Sequence, residues 1–331
     1  MQRFLCQIDG TEDPIGRSRR VPAAATALVS RFRRQRPLRA GSLLVTIFGD
    51  SITPLGGVVT LSSLIRLAAP FGINERLVRT SVARLAQDGW LANRREGRLS
   101  EYRLTETGRA RFADATRRIY ASNPHTWSGS WTLVLLRSAG AAGRGDLRRQ
   151  LQWLGFGQIE PGVLAHATLT AADARLSCSR LPGGERVLVF AANGQDRQTD
   201  RRIATSGWEL GALAARYRRF MTAFEPVRTA LDRGPSLDPE SAFVVRTLLL
   251  HEFRKVHLRD PLLPAPLLPA DWAGFAAYEL CRELYARVFH PAQAHLAVHG
   301  RRLRGLLPSI DPETYARFGG LARADQNLSA Q

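Results

Sequence analysis

Arg76, Arg79, Thr80, Ser81 and Arg84 lie between Asn74 and Asp88, and their types suit a nucleic-acid duplex. Guanidinium groups fork onto guanine O6 and N7 or clamp phosphates, and hydroxyls touch bases or backbone. A second basic group, Arg94, Arg95, Arg98 and Arg103, follows closely and suits phosphate contact. On a predicted helix further on, Arg246, His251, Arg254, Lys255 and His257 could hold an anionic ligand. A solvated helix face explains them equally well. His295 and His299 are spaced i, i+4, with His290 before them, so one helix face could offer two nitrogens to a metal. No carboxylate or thiolate cluster supplies the remaining ligands, which favours ordinary surface or packed histidines. Cys6, Cys178 and Cys281 are far apart and form no C-x-x-C pair, as expected for a reducing cytosol without structural zinc. No G-x-S-x-G or Ser-His-Asp order is present, so neither an enzyme nor a cofactor is expected.

The elements that position the first two groups span residues 41–122. Leu43–Phe48 is a compact apolar segment, broken by Gly49-Asp50 and Pro54–Gly57. Residues 60–69 predict a short helix, stopped by Pro70-Phe71-Gly72. Asn74 is an N-cap residue type. From there Leu77, Val78, Val82, Leu85 and Ala86 repeat at helical spacing as far as about Asp88. The opposite face carries Arg76, Arg79, Thr80, Ala83 and Gln87, with Arg84 at its edge, as a recognition helix requires. Gly89 ends it. Trp90–Arg94 and Ser100–Leu104 predict two strands joined by a basic tip, Arg95-Glu96-Gly97-Arg98. Thr105 caps a further helix through about Tyr120. This order is that of a winged helix-turn-helix, and with the charge it predicts DNA binding.

Residues 127–200 predict a β-α-β-β-α-β unit of ferredoxin-like type. Its strands are expected at Trp131–Arg137, Phe156–Glu160, Val163–Leu169 and Arg186–Ala191. Its helices are expected from a cap at Asp146 to about Leu154, and over Ala171–Ser179. Gly140, Gly143 and Gly145 could cradle phosphate, but their spacing matches neither a P-loop nor a dinucleotide fingerprint. Residues 201–310 predict a helical domain for effector binding or dimerisation. Its helices run over about 202–225, ending near Pro226, then from Asp238-Pro239 past Phe253, and from Asp271 to about Phe289. Residues 311–331 form a tail. The fold class is therefore α+β.

The chain has 331 residues and a formal net charge of +18, with Lys255 the only lysine. The charge is +6 over residues 1–40, +5 over 41–120, +6 over 121–230 and +1 over 231–331. A basic N-terminal half is the usual footprint of a polyanion binder. Residues 1–40 read as a mostly disordered basic arm or an over-extended start. Arg19-Arg20 is not followed by the strong apolar core of an export signal. No apolar run is long enough to span a membrane.

Several stretches resemble one family. They are Gly49-Asp50-Ser51, Leu64–Arg79 (LIRLAAPFGINERLVR), Asp88-Gly89-Trp90-Leu91, Trp127-Ser128-Gly129-Ser130-Trp131 with Leu135-Leu136, and Leu154-Gly155-Phe156-Gly157. Asp260-Pro261-Leu262-Leu263-Pro264, Leu268-Pro269-Ala270-Asp271-Trp272-Ala273-Gly274 and Leu280-Cys281 complete the set. Over residues 41–290 the chain resembles the PaaX family of transcriptional repressors of phenylacetic acid degradation. The resemblance implies a cytoplasmic homodimer with a Cas2-like middle domain, released from its operator by phenylacetyl-CoA. Two recognition helices would read an inverted repeat. Arg246, Arg254 and Lys255 are then the candidates to meet the anionic effector. A regulator of another catabolic pathway, with a different acyl-CoA, fits the same residues. A nuclease or CoA-ester hydrolase using the middle domain is a weaker alternative, since the first strand ends in Arg137-Ser138 without an acid. So is an architectural DNA binder without sequence preference.

Overall fold

The computed structural model describes residues 20–36, 39–121, 126–136, 141–234 and 237–321. The chain divides into two compact units. The first draws on Met1–Arg117, Met221–Phe253 and Glu279–Gln331, the second on Arg118–Phe220 and Arg254–Tyr278.

The first unit opens with helix α1, Arg20–Arg33. The expected disordered arm is corrected here over these residues; residues 1–19, 37 and 38 lie outside the described ones. The physical reason is a buried stripe: Ala25, Leu28 and Phe32 are nearly inaccessible, and Phe32 packs edge-on against Phe71 and His251. Helix α2 (Ala40–Thr46) runs into a π-helical turn over Ile47–Ile52. Strand β1 (Val58–Thr60) leads to helix α3 (Leu61–Ala68), where Thr60 accepts the Ser63 amide as N-cap. Helix α4 spans Glu75–Gln87, strands β2 and β3 span Leu91–Glu96 and Leu99–Leu104, and helix α5 spans Glu106–Tyr120. All three strands are antiparallel in the order β1-β3-β2, so hairpin β2–β3 follows helices α3 and α4 and a third strand closes its base.

In the second unit, strands β4 (Ser130–Leu135), β5 (Gly157–Glu160), β6 (Val163–His166) and β7 (Leu188–Asn193) form an antiparallel sheet in the order β5-β6-β4-β7. With helices α6 (Ala141–Trp153) and α7 (Ala171–Ser179) the chain order is the expected β-α-β-β-α-β. Val134 and Leu164 of the sheet pack with Leu147, Leu151, Phe156, Ala174 and Cys178. Helix α6 starts earlier than expected, so Asp146 is not its cap but an interior residue paired with Arg149. Gly143 and Gly145 are therefore helical rather than a phosphate cradle; Gly140 lies outside the described residues.

Four helices follow: α8 (Arg197–Gly207), α9 (Leu210–Arg233), α10 (Pro239–His257) and α11 (Ala273–His299). The last three each contribute residues to both units. The expected single helix over 202–225 is thus two, and Pro226 does not end the second. Phe224, Val227 and Leu231 are all buried, and that burial offsets the proline penalty of about 3 kcal/mol. The same holds at Pro291, which carries α11 to His299. After it, β8 (Arg301–Arg302) and β9 (Gly305–Leu306) form a short hairpin. Pro312–Gly319 is a 3₁₀ segment with Thr314, Arg317 and Phe318 buried, so this part of the expected tail is packed.

Candidate nucleic-acid interface

Helix α4 is held by its cap and by one apolar side. The Asn74 Oδ1 accepts the Leu77 amide at 2.9 Å. Val78 and Val82 are fully buried. Arg76, Arg79, Thr80 and Arg84 are exposed on the other side. Ser81 is not with them: it is 8% exposed and faces Gly41 of α2. At 100° per residue it lies within about 60° of Val78, so its hydroxyl type misleads while its position is that of a core residue. The Thr80 hydroxyl donates to the Arg76 carbonyl at 2.9 Å and can only accept from outside. Arg79 pairs with Glu75 one turn earlier, at 2.6 Å, on the surface. Such exposed pairs are worth well under about 1 kcal/mol and yield to a phosphate.

The wing keeps its register through Leu91–Leu104 at its base and a two-residue tip, Gly97-Arg98, with Gly97 at φ 58°. Arg94, Arg95, Arg98 and Arg103 are all exposed. Directly paired residues share a face, so Arg94 and Glu101 project together, as do Arg103 and Ala92, while Arg95 takes the other face. Arg94 also lies 3.8 Å from Glu96. Thr105 joins wing to helix: its hydroxyl donates to the Gly89 carbonyl at 2.6 Å and accepts the Gly108 amide.

The start of the first unit rests on a buried polar cluster not expected from the sequence. Asp50, in the π-helical turn, accepts from Arg246 Nε at 2.7 Å, Arg317 Nη1 at 2.9 Å and the Tyr285 hydroxyl at 2.8 Å. Arg246 is wholly inaccessible and also lies over the Tyr285 and Phe289 rings. Burial pushes the Tyr285 hydroxyl up to about 12, so it stays a donor. Arg246 therefore serves the fold and not a ligand, which corrects its assignment to the effector. Arg254 and Lys255 are half-buried and belong to the other unit. The motif Gly49-Asp50-Ser51 acquires a reason as well. A Cβ at Gly49 would lie 2.6 Å from the Phe112 ring, and Asp50 anchors three elements. The partners of Asp50 stand some 200 residues away in the chain, so no local pattern announces them.

His295 is 4% exposed and stacks on Phe243 at 4.8 Å, with the His299 ring 4.4 Å away. Burial, and then His299, push His295 down to about 4. Among the described residues no group of three or more His, Cys, Asp or Glu side chains could hold a metal ion. Cys178 and Cys281 are buried free thiols, raised by that burial. No helix among the described residues is long and apolar enough to cross a membrane.

Three family profiles match this chain in succession. Residues 39–108 match the PaaX-like protein, 124–204 the PaaX protein central Cas2-like domain, and 208–298 the PaaX-like protein C-terminal domain. A solved structure, the uncharacterized protein Rv0674 from Mycobacterium tuberculosis, is similar at 25% identity over 70% of this chain and 89% of its own, with a TM-score of 0.49. The transcriptional repressor PaaX of Escherichia coli (strain K12) is 35% identical over 289 residues, covering 86% of this chain and 92% of that one. The chain belongs to the PaaX family of transcriptional repressors, regulators rather than enzymes.

Proposed function

We propose that this protein is a sequence-specific DNA-binding repressor of an aromatic catabolic operon, that of phenylacetic acid. It is released by an aryl-CoA effector such as phenylacetyl-CoA, and it acts in the cytoplasm as a homodimer on an inverted repeat. The observation that carries DNA binding is the geometry of α4 and the wing. A capped helix presents Arg76, Arg79, Thr80 and Arg84 on one exposed side, followed by a hairpin with four exposed arginines. Ser81 is left out of the contact set and Arg246 out of the effector set, while Arg254 and Lys255 remain eligible for the effector's phosphates.

A DNase footprint on promoter DNA of phenylacetate catabolic genes tests this. One protected inverted repeat is expected, with half-sites about one helical turn apart. Protection should be lost on adding micromolar phenylacetyl-CoA, which must bind the released state more tightly than the DNA-bound one. Uniform protection without a preferred site would overturn sequence specificity. Protection that survives phenylacetyl-CoA would overturn the effector.

A further inference from the structure

A cleft of about 250 Å³ lies within the first unit, between Leu55 of the helix-turn-helix domain, the end of α11, and the chain that follows hairpin β8–β9. Its walls include Leu55, Leu306, Leu307, Pro308 and Ile310, with Tyr315 at one side. No Asp, Glu, Lys or Arg lines it; His290 and Tyr315 are its ionisable groups. One polar atom there is unexplained. The Gln293 side-chain nitrogen is buried and has no hydrogen-bond partner among the described residues. A buried amide left unpaired costs free energy, so it marks a place where an acceptor belongs.

Size and polarity narrow the occupant. An apolar cavity of about 150 Å³ takes a benzene ring, so this cleft has room for one ring with a short arm. A carboxylate would enter without a formal positive partner, at high cost. A neutral carbonyl would satisfy Gln293 without carrying charge into the apolar walls. We propose that the cleft binds a neutral arylacyl group, ring against the leucines and carbonyl oxygen on the Gln293 amide. A regulatory role for it rests on the effector reading above, of which this would be the acyl end. The larger groove, about 1150 Å³ beside α9, fits that end less well, since its wall carries Glu225, Asp232 and Arg233.

The cleft is wired to the wing. Leu306 belongs to β9, and the opposite strand and the turn of that hairpin each reach the DNA-binding domain once. The Arg301 amide donates to Ser63 Oγ of α3 at 3.0 Å. The Leu303 amide, in the hairpin turn, donates to Glu101 Oε1 of β3 at 2.8 Å. Glu101 stands directly opposite Arg94 in the wing. Pro308 leans on Gly56, and the Asp311 amide donates to the Pro54 carbonyl at 2.8 Å. An occupant that shifts residues 306–310 therefore pulls on Glu101 in the wing and on the start of α3.

The test uses the full chain with three probes: phenylacetamide, phenylacetate and phenylacetyl-CoA. Phenylacetamide should bind by calorimetry and phenylacetate at least about tenfold more weakly. Ala297 lies exposed on the cleft wall, and Ala297→Trp fills the cleft and should abolish phenylacetamide binding. Gln293→Leu should weaken phenylacetamide about tenfold while the melting temperature holds or rises, since the variant removes an unpaired buried donor. A purely structural role for Gln293 would lower it. If phenylacetyl-CoA releases the operator equally from the parent and from Ala297→Trp, the cleft is not the acyl site and the effector reading stands. If phenylacetyl-CoA does nothing but phenylacetamide binds the parent and not Ala297→Trp, the effector reading falls and the cleft stands. No phenylacetamide binding to the parent overturns the cleft.

Discussion

Replacing Asp50 is the sharpest test of how this domain is held together. Asp50 is 3% exposed and is the carboxylate that faces both Arg246 and Arg317, so the cluster carries one negative against two positive charges. Asp50→Ala leaves two buried guanidiniums without it. Breaking a buried pair in this way costs about 3–5 kcal/mol. At ~2–4 °C per kcal/mol for a unit of this size, the melting temperature should fall by about 6–20 °C. Arg246→Met acts differently. It removes the cation whose Nη1 has no partner among the described residues, and leaves Asp50 matched by Arg317 and the Tyr285 hydroxyl. It should cost less than Asp50→Ala, and the double variant should be more stable than Asp50→Ala alone, because one buried cation remains instead of two. Thermal unfolding followed by circular dichroism reads all three. A double variant that loses the sum of the single effects would refute the coupling. An Arg246→Met protein of parental stability that binds its operator but ignores the effector would return Arg246 to the ligand site.

Arg76→Ala should weaken operator binding about tenfold or more and Ser81→Ala should not, in the same gel-shift titration; equal losses would place Ser81 on the DNA side after all. Phe32→Ala should destabilise the first unit by about 3–5 kcal/mol, read by urea unfolding, whereas a disordered arm would show no change. His257 and His295 are both pushed down to about 4 by burial, against about 6.5 in the unfolded chain. The unfolded chain therefore takes up protons first as the pH falls. Their contribution is complete above about pH 6.5 and is lost between pH 6.5 and 4, by about 3 kcal/mol each at the lower end. Equal denaturant midpoints at pH 7.5 and 4.5 would contradict this.

The features legible in the sequence are those fixed within a few residues. Asn74, Gly97, Thr105 and Asp238-Pro239 each do a local job that only a few residue types can do, and each sits where that job places it. What escaped has non-local causes. Helix α1 looks like part of a basic arm because residues 1–40 as a whole carry +6, yet its fate is set by Phe32 meeting Phe71 and His251. Pro226 and Pro291 look like stops, but apolar residues on both sides hold the helix across them. Ser81 and Arg246 share the reverse error. Their chemistry suggests a ligand, while the helix's own periodicity in one case, legible but masked by a hydroxyl, and a distant aspartate in the other commit them to the interior. Side-chain type is thus weak evidence for a site until something shows that the group is free to act. That favours Arg76 and Arg84, exposed and without an ion pair among the described residues, over Arg79 and Arg94, which must first leave Glu75 and Glu96. The same standard favours Gln293, a modest residue that charge counting passes over, because its buried nitrogen has no partner among the described residues.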